Sequence, residues 1–302
     1  MYRRLNMAHS RIPIALLISA ILLSPLFNFD HKEEQYKEND IVNELTVIQE
    51  VALTEARSSG VNIGWERQIQ SEGSGNEYGE AIVVDSSGNA YISGVFCYDL
   101  KLGAILLERI GICDLFLAKM SPNGYWMWAN QIGGVDGYTS SQHHTLSLTS
   151  NGVFIGGASN SSEISAQGIT MTNSYPGIYQ PFILKATSGG DFTWGKMINQ
   201  DQHSFIYSVH DSSDGGAIVA GYFRADSMNF GLHTIFNSNV SQAEVFIAKI
   251  DGNGDWQWAN SAEGNNGDAG YDLAINSEGI VSIVGVYNGQ IQFGPYTLAS
   301  TF

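Results

Sequence analysis

Four tryptophans recur at almost constant spacing. Trp65, Trp128, Trp194 and Trp258 are separated by 63, 66 and 64 residues. A glycine that closes an apolar run keeps step with them: Gly94 after NAYIS, Gly157 after GVFIG, Gly221 after GAIVA and Gly285 after GIVSIV, at intervals of 63, 64 and 64. Lys119, Lys185 and Lys249 end the related runs DLFLAK, PFILK and VFIAK, and Gly103, Gly168, Gly231 and Gly294 form a fourth series. Four markers sharing one period identify an internal repeat. A repeat of this length means a solenoid, a propeller or an array of small domains.

Within each repeat the runs read as strands. EAIVVD (80–85) or YDLAIN (271–276) comes first and ends in a Ser/Gly/Asn/Asp turn; NAYISGVF (89–96) follows. An excursion around the fourth-series glycine reads as a small hairpin. DLFLAKM (114–120), a turn, and YWMWANQI (125–132) close the unit. The runs are short and rich in β-branched and aromatic residues, which favours strands over helices. Long amphipathic stretches between them are missing, which argues against a parallel α/β sheet. Four antiparallel strands per unit of about 64 residues describe the blade of an all-β propeller. The expected blades cover about 80–132, 142–199, 206–261 and 270–302, and 61–70 reads as a lone outer strand. The first three runs are apolar at nearly every position, as suits strands covered on both faces. The fourth alternates, as suits an outer strand, so its tryptophans are expected to pack between blades and not to bind ligand.

The units resemble SBBP repeats, a family of exported β-propeller proteins. The resemblance rests on Trp65, Asp85, Gly88-Asn89, Tyr91, Gly94 and Phe96 in the first unit, and on Asp114, Phe116, Ala118, Lys119 and Gly124 that follow. Phe230-Gly231, Phe246, Ala248, Lys249 and Gly254 repeat it in the third, whereas HHTLSL (143–148) departs from it in the second. It spans 61–302 and implies a propeller fold. It implies no catalytic residues and no cofactor.

The fourth unit has two strands and a hairpin, and its third strand is expected near residue 308. The expectation is therefore an incomplete ring, a piece of a longer propeller; the alternative is a four-bladed ring closed by strand 61–70. Ahead of the repeats, Arg3, Arg4 and Arg11 precede the apolar run Ile12–Phe27. That is the order of a secretory signal, cleaved or retained as an anchor, over residues 1–29. An acidic linker, 30–60, follows. The expected location is secreted or cell surface, with no membrane contact beyond that anchor. In that setting Cys97 and Cys113, the two cysteines of the chain, are candidates for a disulfide stabilising the fold by roughly 3 kcal/mol.

With 14 basic and 30 acidic residues and a formal charge of −16, the chain repels phosphate backbones, which argues against nucleic acid as a partner. DGNGDWQW (251–258) opens like an EF-hand loop, but Trp256 and Ala262 stand where that loop needs glycine and a bidentate glutamate, so it reads as an exposed turn. No nucleophile elbow, zinc motif or phosphate loop is present. His143-His144 point to opposite faces of a strand and do not suit one metal. Carboxylates between blades, Glu72, Glu77, Asp136, Glu263 and Asp268, are the candidate ligand-face residues, since loops carried on a rigid scaffold are where binding residues gather. The expected function is an exported binding, adhesion or scaffold module whose partner is an extracellular protein or glycan. The alternative is a propeller enzyme of the quinoprotein dehydrogenase kind; the sequence offers no base and no metal ligand set for it.

Overall fold

The structure, a computed structural model, describes residues 70–71, 77–139, 145–239, 242–264 and 266–299. The apolar run at 12–27, the linker, Trp65, Glu72 and His143-His144 lie outside the described residues. Every regular element among the described residues is a β-strand. A short strand, β1 (Gln70–Ser71), precedes the first repeat. Repeat 1 contains β2 (Tyr78–Val84), β3 (Ala90–Phe96), the hairpin β4 (Leu100–Leu102) and β5 (Ile105–Leu107), then β6 (Asp114–Met120) and β7 (Trp126–Gly134). Repeat 2 runs β8 (Thr145–Thr149), β9 (Gly152–Ser159), β10 (Glu163–Ala166), β11 (Ile169–Thr172), β12 (Gln180–Thr187) and β13 (Phe192–Met197). Repeat 3 runs β14 (Phe205–Asp211), β15 (Ala217–Phe223), β16 (Ser227–Phe230), β17 (His233–Phe236), β18 (Glu244–Ile250) and β19 (Trp256–Gly264). Repeat 4 contributes β20 (Ala269–Ile275), β21 (Val281–Val286), β22 (Gln290–Phe293) and β23 (Tyr296–Ala299).

Each complete repeat builds one antiparallel four-stranded sheet, in the orders β2-β3-β6-β7, β8-β9-β12-β13 and β14-β15-β18-β19. This is a propeller-like, all-β architecture. Two of the hairpins join the sheet of the preceding repeat, whereas β16 and β17 form a two-stranded sheet of their own. Strand β10 leaves its own repeat and pairs with the end of β7 through Ile164↔Gly134 and Ser165↔Gly133. Strand β22 joins β19 in the same way through Gln292↔Glu263 and Ile291↔Gly264. Strand β4 takes β1 as its partner through Lys101↔Gln70 and Leu100↔Ser71. Main-chain bonds therefore run from repeat 1 to repeat 2 and from repeat 3 to repeat 4, and these backbone groups need no other partner.

The core lies between sheets. Tyr91, Leu115 and Leu117 of repeat 1 pack with Leu146, Val153, Ile155, Phe182 and Leu184 of repeat 2. Phe154 and Ile183 of repeat 2 pack with Ile206, Val209, Val219, Phe246 and Ala248 of repeat 3. All seven positions of β6 and all eight of β9 are buried, as the continuous apolar runs require. Each such aliphatic or aromatic side chain contributes about 1.5–3 kcal/mol of transfer free energy. Strands β2 and β21 differ from expectation: Ile82 is 58% and Val284 64% exposed. The side chains that cover their counterparts come from an adjacent repeat.

The tryptophans divide into two kinds. The first of each pair packs on its own hairpin: Trp256 meets the ring of Phe230 edge-on at 4.8 Å, and the left-handed glycine Gly103 abuts Trp126. The second reaches the next repeat. Trp128 donates its Nε1 hydrogen to Ser188 O at 3.2 Å, and Trp194 donates to Gly252 O at 2.9 Å. The turns they meet place glycine where φ is positive, at Gly190 (100°) and Gly254 (89°). A Cβ there would lie 2.8 Å from Trp128 and 3.0 Å from Trp194.

The periodic glycines of the second strand also have a cause. Strands β2, β14 and β20 each shift register by one residue, at Glu80, Tyr207 and Tyr271. This bulge lies beside Gly94, Gly221 and Gly285, where a Cβ would collide with the backbone carbonyl of Tyr78, Phe205 and Ala269 respectively. Gly221→Ala is expected to destabilise the protein by roughly 1–3 kcal/mol through overpacking, whereas Gly79→Ala, with open space around its Cβ, stays near wild type. Urea titration of both variants reads this, and equal midpoints would refute the close approach.

Candidate functional site

At one end of every sheet the outer strand finishes and the next inner strand begins. The first residue of β6, β12 and β18 is polar and buried: Asp114 0%, Gln180 0% and Glu244 2% exposed. Each bonds the end of its outer strand or the residues just after it, and Asp114 and Glu244 also hold the segment in front of them. Asp114 accepts from Ile110 N, Gly111 N, Gln131 Nε2 and Gly134 N. Gln180 exchanges two bonds with the backbone of Gln200. Glu244 accepts from Ser238 N, Ser238 Oγ and Gly264 N. Satisfied buried carboxylates of this kind hold loops in one shape. Beside Asp114, Cys97 and Cys113 continue the β3–β6 register and are joined by a disulfide with their Cα atoms 4.1 Å apart.

The loop carboxylates named from the sequence have different surroundings. Asp136 Oδ1 accepts from Ser161 Oγ (2.7 Å) and Ser162 N (2.8 Å), and Oδ2 from Ser162 Oγ (2.7 Å). The Ser161 and Ser162 bonds hold its pKa below the ordinary carboxylate value. Asp136 thus fixes the end of repeat 1 to the hairpin loop of repeat 2. Glu263 is exposed on β19, and Glu77 is half-buried. Asp268 is buried at 1% exposure; Oδ1 accepts from Asn288 N at 2.9 Å, and Oδ2 lies in the space left by the missing side chain of Gly264. Glu77, Ser204 and Asp268 hold one repeat position, immediately before an inner strand, and each has a buried oxygen without a hydrogen-bond partner. The structure does not gather these carboxylates into a cation site: no group of three or more His, Cys, Asp or Glu suited to a metal exists among the described residues.

It gathers aromatic residues instead. Phe205 stacks on Tyr207 at 6.2 Å between centroids with planes 14° apart. Tyr179 lies 5.5 Å from Phe205, and Tyr222 lies 5.4 Å from Phe205 and 5.5 Å from Tyr207. Tyr271, 53% exposed, extends the group at 5.6 Å from Tyr207. The Arg224 guanidinium sits over the Tyr222 ring at 5.8 Å. Tyr207 and Tyr271 are the bulged residues of β14 and β20, so the register shift turns an extra ring outward; bulges commonly re-aim a side chain in this way. Burial pushes the phenols of Tyr179, Tyr207 and Tyr222 up, so they stay neutral donors at physiological pH. The sequence signal for this patch was two tyrosines 64 residues apart ahead of an apolar run, in a unit whose first copy has Glu80 there.

The strands, their repeat and this loop face define an all-β repeat protein of the propeller-like class. No family model matches the chain. Over 204 residues it is 24% identical to the uncharacterized WD repeat-containing protein L264 of Acanthamoeba polyphaga mimivirus, a match covering 58% of this chain and 14% of that protein. The similarity points to a β-propeller-type repeat family.

Burial, reinforced by the neighbouring Glu244 charge and opposed by the bond from Asn288 N, raises the pKa of Asp268. A raised folded-state pKa favours the protonated fold, so this contribution is complete at low pH and is lost as pH rises through the elevated value. Asp268→Asn removes that loss. The variant is expected to gain in melting temperature relative to wild type between pH 4 and pH 7, and a constant difference across that range would contradict the assignment.

Proposed function

We propose that this chain is an exported, non-enzymatic binding module of the SBBP repeat type, which holds an extracellular protein partner on its loop face. The carrying observation is the aromatic patch of Phe205, Tyr207, Tyr222 and Tyr271 with Arg224 beside it. Tyrosine and arginine are the residue types that dominate binding hot spots, because each offers a large contact area and a polar tip. Rings half-exposed on a rigid sheet lose little entropy on binding. The basic-then-apolar N-terminus supports residues 1–29 as signal or anchor, with 30–60 as the linker and 61–302 as propeller repeats. The β1–β4 pairing, which copies β7–β10, supports Gln70–Ser71 as the end of an outer strand ahead of the first repeat. The distant WD repeat relative is in keeping with a scaffold role.

The test offers the full chain to parallel arrays of extracellular proteins and glycans. Saturable protein binding is expected, weakened at least tenfold by Tyr271→Ala and unaffected by Tyr125→Ala, an exposed tyrosine at the opposite end of the sheets. Glycan signal sensitive to Tyr271 would replace the protein by a carbohydrate. Flat arrays, or binding indifferent to Tyr271, would overturn the loop-face reading.

A further inference from the structure

At the other end of the sheets, one position of the repeat carries Lys119, Lys185 and Lys249. Two of the three have a counter-charge. Lys119 Nζ lies 3.5 Å from Asp85, donates to Tyr91 Oη at 2.8 Å and reaches Ser188 O at 3.3 Å. Lys249 Nζ meets Asp214 Oδ2 at 2.6 Å. Lys185 is 8% exposed and meets only dipoles and a ring. Its Nζ donates to Gly215 O at 2.9 Å and Gly252 O at 3.4 Å, and sits 5.2 Å from the centroid of Phe154. No carboxylate pairs with it among the described residues.

The cause is visible in the first turn of the repeat. The pairs Val84↔Ala90 and Asp211↔Ala217 enclose residues 85–89 and 212–216, five each, and these turns supply Asp85 and Asp214. The pair Leu148↔Val153 encloses 149–152, four residues, with no carboxylate among them. Thr149 stands where Asp85 does, and its Oγ1 is buried without a partner. The shortened turn borders a cavity of about 380 Å³ lined by Lys185, Thr187, Thr193, Trp194, Asn151 and Asn253.

A buried ammonium without a counter-ion is costly, and two carbonyls leave one of its three protons uncommitted. A single cation matches a single negative charge. Dianionic phosphate is better served by arginine forks, and no arginine lines this cavity. The remaining side chains are hydroxyl, amide and indole, with Ala186 and the Gly252 backbone beside them. Two threonines and two asparagines suit a polyhydroxylated body, and Trp194, pinned through Nε1 to Gly252 O, is a fixed wall for its C–H face. The volume lies at the lower end of ligand sites, the size for one monosaccharide. We infer that this cavity binds a carboxylate-bearing sugar of the uronic acid type, its carboxylate on Lys185 Nζ and its ring against Trp194.

Calorimetric titration of the full chain with glucuronate, glucose, acetate and inorganic phosphate tests this. Glucuronate is expected to bind at least tenfold tighter than the other three. Lys185→Met should weaken it at least tenfold. Thr149→Asp supplies an internal carboxylate as Asp85 does for Lys119; it should weaken glucuronate to the same degree while keeping or raising the melting temperature, so a folding defect cannot mimic the result. Glucuronate no tighter than glucose, phosphate equal to glucuronate, or indifference to Thr149→Asp would overturn the inference. Because Tyr271 lies at the opposite end of the sheets, failure here leaves the loop-face reading intact, and the reverse also holds.

Discussion

The contact on which the repeat spacing depends is a shared carbonyl. The second tryptophan of one outer strand and the lysine of its third strand both donate to one backbone oxygen in the next repeat. Trp128 and Lys119 converge on Ser188 O, and Trp194 and Lys185 converge on Gly252 O. The oxygen sits in a tight turn whose glycine, Gly190 or Gly254, leaves room for the indole. One carbonyl with two donors, one of them charged, holds adjacent sheets at a fixed distance while their apolar faces close between them. Without this acceptor the buried ammonium of Lys119 or Lys185 would lose one of its partners, which costs more than the bond contributes. That asymmetry ties Trp, Lys and the turn glycine together and gives all three one period.

The hairpins add a second constraint at the other end. Strand β10 pairs with the preceding repeat while Gln167 at the tip of its hairpin accepts from Phe192 N of its own outer strand, so this hairpin is shared by two sheets, and β22 pairs with the preceding repeat in the same way as β10. The sequence made the period, the strands and the DGNG turn legible because each follows a steric or hydrogen-bonding rule that tolerates few residue types. Asp251 Oδ1 accepts from Asn253 N and Asp255 N, a turn closed on itself. Less visible was the buried polar latch, where Asp114, Gln180 and Glu244 meet one need with three side chains. The aromatic patch was equally hidden, because a bulge places Tyr207 and Tyr271, and hydrophobic periodicity does not reveal where a register shifts. The acidic loops read from the sequence as one group have separate surroundings: Asp136 is spent on Ser161 and Ser162, and Asp268 on Asn288.

Repetition sharpens what each departure means. In a unit copied several times, positions that stay constant serve the stitch between sheets, and positions that differ are free of it. Glu80 against Tyr207 and Tyr271 is one such difference; Asp85 against Thr149 is another. The first puts rings on the loop face, and the second leaves a charge without a counter-charge at the turn face. Both changes occur on strands whose neighbours keep the packing intact, so a local change at an end of the sheet does not propagate into the core.

The formal charge of −16 bears on both faces without deciding either. At physiological ionic strength a charge is screened over about 8 Å, so the bulk of the acidic surface acts weakly on an anion already inside a cavity. A lysine at 8% exposure is screened far less and dominates there. The global charge acts on the approach: it slows an anionic ligand and speeds a cationic one, and salt reduces both effects. Affinity at Lys185 is therefore set by the missing carboxylate of one shortened turn, and encounter by thirty acidic side chains that never touch the ligand.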